Sequence, residues 1–308
     1  MLMSVFNGEA FLGEAVSSVL SQSFADFELI VVNDASTDGS GALLRGWTDA
    51  RLRVIEQPVN AGLVEALNLA ASHARGSLLA RMDADDVAHP ERLKHQVAAF
   101  AQRPALVLLG TAFDLIDARG EALGRQTVKS GDGVLRTALL ENNPFGHPTA
   151  MMRADAFRAA GGYRALGGRF AQDYDLWLRL ADLGEMDNLP EALLRYRVHE
   201  GQISVDKIVA QREAAELYRQ LALQRRAGGP ENLAAARQAV LRRRPDLLVA
   251  CSAELLDTST RLSAQGRHAE ARRMRWRALR MAPLAAPARR ELARAWKWRL
   301  ARLFGAAR

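Results

Sequence analysis

The chain has 308 residues, 49% hydrophobic and 25% charged, a balance that excludes wholesale disorder and suggests two domains or one with a large appendage. Its one cysteine, Cys251, excludes an intramolecular disulfide and a cysteine-rich zinc cluster, and suits a reducing compartment. The net charge of +7 hides a partition: residues 1–200 hold 19 Lys and Arg against 26 Asp and Glu, net −7, and residues 201–308 hold 23 against 9, net +14. No basic–apolar leader opens the sequence. The longest near-apolar run, 105–113, is half a membrane span, so an integral membrane protein is not expected.

A short apolar strand at 1–6 comes first, then Phe11, Leu12, Ala15, Val16, Val19 and Leu20 recur at helical spacing. FELIVV at 27–32 is too apolar for one wet face and reads as a central parallel strand. A turn-rich stretch at 33–40 leads to a helix at 41–47 and a strand at 52–56. A helix at 62–74 stops before Gly76, and a strand at 78–82 ends in Asp-Ala-Asp-Asp. Pro90 opens a helix running to residue 100, and 106–116 is a further strand. This alternation predicts an α/β fold, a mostly parallel sheet with helices on both faces. Ligands in such sheets sit at the carboxyl ends of the strands, where Asn7, Asn33–Asp34 and Asp83–Asp86 fall.

Residues 130–200 are mixed: a helix at 131–140, an apolar run at 148–152, a helix at 174–183 closed by Gly184, and a strand at 192–198. From Asp206 onward the pattern is helical and rich in Ala and Arg. Residues 264–283 look like half of a tetratricopeptide unit, and one unit makes no solenoid. The expected domains are 1–205 and an all-helical basic region, 206–308.

Asp83, Asp85 and Asp86 end a buried strand, where carboxylates suit Mg²⁺ or Mn²⁺ beside a diphosphate. The alternative is a solvated capping loop ahead of Pro90. Asp34 can accept the imide N–H that uracil, thymine and guanine carry, or it can simply serve a turn. Asp173 opens a helix striped with Leu176, Trp177, Leu180 and Leu183, a place for an N-cap and for an oriented general base. His147 and His199 each flank a predicted strand, as metal ligands or as ordinary hydrogen-bonding residues.

Taken together, SVFNGE at 4–9, FELIVVNDASTDG at 27–39, NAG at 60–62, ARMDADD at 80–86, GHPT at 146–149, GGY at 161–163, QDYDLWLR at 172–179 and YRVH at 196–199 resemble one family. It is that of the family 2 inverting glycosyltransferases with the GT-A fold, of the bacterial surface-polysaccharide kind. The resemblance covers residues 1 to about 205. It implies that Ser4 and Phe6 line a base pocket, that Asp34 accepts the base N–H, and that Asn60 lies on the nucleotide-sugar side. Asp83 would touch ribose or donor sugar, and Asp85 would hold Mn²⁺ or Mg²⁺ on the diphosphate. His199 would contact metal or phosphate. Gly161, Gly162 and His147 would face the acceptor, and Asp173 would take the proton from its hydroxyl. One displacement would then invert the anomeric carbon without a covalent intermediate.

Three departures stand out. The chain starts almost inside its first strand, which points to a misplaced start or a truncation. Ser4 replaces the family's usual Pro, and Gln172 replaces the Glu that often precedes the base. A sugar nucleotidyltransferase would need a glycine-rich basic phosphate loop, which 7–10 lacks. A non-catalytic scaffold is disfavoured by the presence of Asp34, Asp83, Asp85 and Asp173 together.

The expected partners are a nucleoside-diphosphate sugar and a glycan or lipid-linked acceptor, with no nucleic acid. Leu292, Trp296, Leu300 and Leu303 share a helix face opposite Arg290, Arg294 and Lys297. That pattern suits peripheral contact with anionic membrane at the cytoplasmic face.

Overall fold

The computed structural model describes residues 1–198, 205–264 and 266–282. The chain divides into two compact units, Met1–Gln202 and Ile203–Arg308. In the first, β1 (Leu2–Val5), β2 (Leu29–Asn33), β3 (Leu52–Glu56) and β4 (Leu78–Asp83) alternate with α1 (Glu9–Leu20), α2 (Ser40–Arg45) and α3 (Leu63–His73). Next come β5 (Val87–Ala88), α4 (Arg92–Gln102), β6 (Leu106–Ile116), β7 (Ala122–Gln126) and α5 (Asp132–Leu139). A 3-10 turn at His147–Thr149 then precedes β8 (Met151–Arg153), α6 (Ala154–Ala159), α7 (Gln172–Leu180) and β9 (Glu185–Arg197).

The strands form one sheet in the order β3-β2-β1-β4-β8-β6-β9-β5, with β7 paired to β6. The pairings β1–β2, β1–β4, β2–β3 and β6–β9 are parallel, whereas β8, β5 and β7 pair antiparallel to their neighbours. Most strands therefore run one way, and three short ones oppose them. All of β2 is buried, as its unbroken apolar run requires. The α1 stripe of Leu12, Val16 and Val19 packs with Met3, Val31 and Met82 in the core under the sheet. Each such side chain contributes about 1.5–3 kcal/mol by burial.

Three pieces differ from the sequence expectation. β9 begins at Glu185, seven residues before its apolar half, because it pairs in parallel with β6 through Asn188 despite Pro190. The two-residue β5 and the fully exposed β7 carry no periodic signal. α7 ends at Leu180, and Asp182 and Leu183 continue as turns whose N–H groups donate to the Arg179 and Leu180 carbonyls.

The second unit contains α8 (Val205–Arg226), α9 (Leu233–Ala264) and α10 (His268–Met281). Small residues bring α9 and α10 together: Ser259 Oγ donates to the Ala271 carbonyl at 2.8 Å and Ser252 Oγ to that of Ala278 at 3.0 Å. No helix among the described residues is long and apolar enough to cross a membrane. The helix face expected at Leu292–Leu303 and the candidate ligand His199 lie outside the described residues.

Candidate active site

Register brings the candidate residues to one edge. Ser4 lies opposite both Val32 and Asp83, and Asn33 lies opposite Glu56, so the carboxyl ends of β1 to β4 finish together. Phe6, just past β1, is 52% exposed. Asn7 stitches its loop to the one after β2: its N–H donates to Ser36 Oγ at 3.0 Å and its Oδ1 accepts the Thr37 N–H at 2.8 Å.

Asp34 is only 2% exposed. Its two carboxylate oxygens accept the Ala61 and Gly62 N–H groups, each at 2.8 Å, at the start of α3. The exposed Asn60 donates from Nδ2 to the Asp34 carbonyl at 3.2 Å. Asp34 therefore ties the loop ahead of α3 to the end of β2, and each oxygen keeps a second lone pair.

At the end of β4, ligand oxygens of Asp83, Asp85 and Asp86 lie within 4.8 Å of one another. Asp83 is ion-paired with Arg81 Nη2 at 2.5 Å. Asp86 is buried; its Oδ1 accepts the Arg197 N–H at 2.9 Å, and its Oδ2 has no hydrogen-bond partner among the described residues. A buried carboxylate oxygen is costly to leave unsatisfied. Three convergent hard-oxygen donors with one orphaned lone-pair set fit Mg²⁺ or Mn²⁺. Burial first, and then the neighbouring carboxylates, hold the Asp86 pKa well above its usual value, and burial raises that of Asp83.

Asp173 is half-buried at the first turn of α7, and Asn143 Nδ2 donates to its Oδ2 at 2.8 Å. Burial pushes the Asp173 pKa up, while the Asn143 hydrogen bond and the Arg81 charge oppose the shift. The same Arg81 charge acts on His147 and Tyr163, so one guanidinium links the carboxylate cluster to the Asp173 side. His147 Nε2 lies 3.0 Å from Tyr163 Oη, and burial holds the imidazole neutral.

Gly161 and Gly162 have φ of 82° and 68°, and a Cβ on Gly162 would meet Asn68 Oδ1 at 2.7 Å. The loop needs glycine there to let Asn68 bracket Tyr163 with two 2.9 Å hydrogen bonds.

Among the described residues, the non-glycine residues with left-handed backbone are Asn7, Ala35 and Ala171. They adjoin Phe6, Asp34 and Gln172–Asp173 respectively. The two alanines carry strain of about 1–3 kcal/mol each, next to Asp34 and Asp173.

Sequence reading assigned no role to Arg81, Arg197 or Asp175. A signal for Arg81 existed: an arginine inside an otherwise apolar buried strand, two residues before Asp83. Asp175 is buried between Arg164 and Arg179, at 2.6 Å from each, and so fastens α7 to the loop following Gly161–Gly162.

A family model described as glycosyl transferase family 2 matches residues 1–160, more than half of the chain. The chain belongs to glycosyltransferase family 2. It is 36% identical over 205 residues to EpsE of Bacillus subtilis (strain 168), covering 64% of this chain and 72% of that one. It is 34% identical over 206 residues to the O-antigen biosynthesis glycosyltransferase WbnJ of Escherichia coli, covering 65% and 79%.

Among solved structures, S. aureus TarS 1–349 in complex with UDP-GlcNAc superposes with a TM-score of 0.58 at 15% identity over 89% of each chain. The mannosyltransferase PcManGT from Pyrobaculum calidifontis, in complex with GDP-Man and Mn²⁺, gives 0.57 at 17% identity, covering 97% of this chain and 79% of that one. At those identities the likeness is one of fold. The protein is a glycosyltransferase with a GT-A fold, as its motifs implied, and the nucleotidyltransferase and scaffold alternatives fall away.

Proposed function

We propose that this glycosyltransferase moves a sugar from a nucleoside-diphosphate donor to a hydroxyl of a glycan or lipid-linked acceptor, with inversion, in surface-polysaccharide synthesis. Relatives named for O-antigen and amylovoran biosynthesis support that setting. The observation that carries the reading is the orphaned, buried Asp86 Oδ2 beside Asp83 and Asp85 at the nucleotide edge of the sheet.

Phe6 stacks on the base, Ser4 lines its pocket, and Asp34 accepts the imide N–H; the TarS and PcManGT donors, UDP-GlcNAc and GDP-Man, both carry one. Asn60 braces that side, and Asp83, held by Arg81, meets ribose or donor sugar. Asp85 and Asp86, with His199, would hold Mg²⁺ or Mn²⁺, which when bound neutralises charge on the diphosphate. Asp173, oriented by Asn143 and by its place on α7, takes the acceptor proton as the hydroxyl oxygen attacks the anomeric carbon from the opposite face. His147 and the Gly161–Gly162 loop shape the acceptor side. We assign catalysis to residues 1–205, and peripheral contact with anionic membrane to the basic region 206–308, net +14 beyond residue 200.

The test is release of nucleoside diphosphate across a panel of UDP-, dTDP- and GDP-sugars with Mn²⁺, comparing wild type with Asp85→Ala and Asp173→Asn. Turnover of one donor, abolished by a chelator and by Asp85→Ala and lowered about 10²–10⁴-fold by Asp173→Asn, is the expected result. Turnover that survives both the chelator and Asp85→Ala would remove the metal from the reading, and turnover that survives Asp173→Asn would remove the base.

A further inference from the structure

Arg197, the last residue of β9, is 2% exposed, and its N–H and guanidinium bind the loop that follows β4 and what surrounds it. Its backbone N–H holds Asp86 Oδ1 at 2.9 Å, and its Nε donates to the Asp85 carbonyl at 2.8 Å. Nη1 donates to the Asp117 and Ala118 carbonyls at 3.1 and 3.3 Å, in the turn between β6 and β7. Nη2 pairs with Glu14 on α1, and the guanidinium lies over the Phe11 ring, 4.5 Å from its centroid. One planar fork thus joins the Asp85 backbone to α1 and to the β6–β7 turn, while the backbone N–H of the same residue holds Asp86. The short β5 adds to the clamp, since Val87 and Ala88 pair with Arg195 and Leu194.

We propose that Arg197 is a positioning residue for the divalent-cation site, its guanidinium fixing the backbone of Asp85, beside the Asp86 carboxylate that its main-chain N–H holds, in the orientation that binds the ion. The inference rests on the metal reading of the carboxylate cluster. Lysine cannot replace this fork, because a single ammonium on a flexible stem cannot reach the Asp85, Asp117 and Ala118 carbonyls together. Groups that orient metal ligands from behind are worth about 10–100-fold in metal affinity.

The experiment is direct Mn²⁺ binding, read from the electron paramagnetic resonance of free Mn²⁺ with UDP or GDP present. Wild type, Arg197→Lys and Glu14→Ala are compared, with circular dichroism and Tm recorded on the same samples. A fall of about 10–100-fold for Arg197→Lys, and a smaller fall for Glu14→Ala, at retained circular dichroism, is the expected result. A folded Arg197→Lys protein with wild-type Mn²⁺ affinity overturns the proposal, even if its Tm drops, because that is what a purely structural arginine would give. Should Arg197→Lys fail to fold, the half-exposed Glu14 decides the matter: weaker Mn²⁺ binding supports the proposal and unchanged binding overturns it. Wild type that takes up no Mn²⁺ with either nucleotide removes the metal reading, and this inference with it. Loss confined to the variants tests Arg197 alone.

Discussion

Asp173 carries opposing influences that a pH profile can separate. Burial raises its pKa above the ordinary 3.8, whereas the hydrogen bond from Asn143 and the charge of Arg81 favour the carboxylate. A base must be ionised to accept a proton, so a raised pKa displaces the acid limb of kcat to higher pH than an ordinary aspartate would give. The same shift means the folded protein binds that proton more tightly than the unfolded chain. Asp173 thus contributes stability at low pH that is lost as pH rises through its folded pKa. Removing the Asn143 amide by Asn143→Ala takes away a bond made to the ionised form, so the acid limb moves further up. We expect a rate loss at about pH 6 that exceeds the loss at about pH 8. A limb at or below 3.8, or one that Asn143→Ala leaves in place, would contradict Asp173 as the base.

At the scale of elements, α7 is held by a buried carboxylate shared between two arginines. Arg164 and Arg179 each approach Asp175 at 2.6 Å, and Arg179 also donates from Nη1 to the Ala160 carbonyl just ahead of Gly161. Asp175→Asn removes the buried charge from both ion pairs, a loss of about 3–5 kcal/mol for a buried pair broken on one side. For a unit of this size that is a Tm fall of about 6–20 °C, with the Asp173 carboxylate displaced as α7 loosens. A variant whose Tm and activity match wild type would show that the fastening is redundant.

The sequence shows Asp173 and Asp175 equally, and nothing local distinguishes the half-buried carboxylate from the one turned inward. That choice depends on Arg164, eleven residues away in a loop without periodicity. Strands β1, β2, β4 and β6 were legible because burial on both faces leaves a mostly apolar run. The two residues of β5 have no period to read, and β7 buries no side chain. The polar cluster at the carboxyl ends of the strands was legible because its residues sit where strands stop; Arg197 was not, because its partners lie 79 to 183 positions away.

For the whole molecule, the carboxylate cluster couples protons to stability. Asp83, Asp86 and Asp173 all have raised pKa values with burial as the first cause, so the metal-free protein loses stability as pH rises through those values. Arg81 and the fully buried Arg92, whose own pKa burial pulls down to about 9, offset part of that charge from beneath the strand. Asp86 Oδ2 stays unsatisfied. A divalent cation binds the deprotonated ligands, so its stabilisation grows as protons leave. The rise in Tm on replacing a chelator with saturating Mn²⁺ is therefore expected to be larger at about pH 8 than at about pH 5. Asp86→Asn keeps an oxygen for the Arg197 N–H while removing a buried charge. It should hold or raise the Tm of the metal-free protein at neutral pH and shrink the Mn²⁺-induced rise. Equal Mn²⁺ shifts at both pH values, or a metal-free Asp86→Asn protein that melts below wild type, would mean that these carboxylates are satisfied by the protein alone.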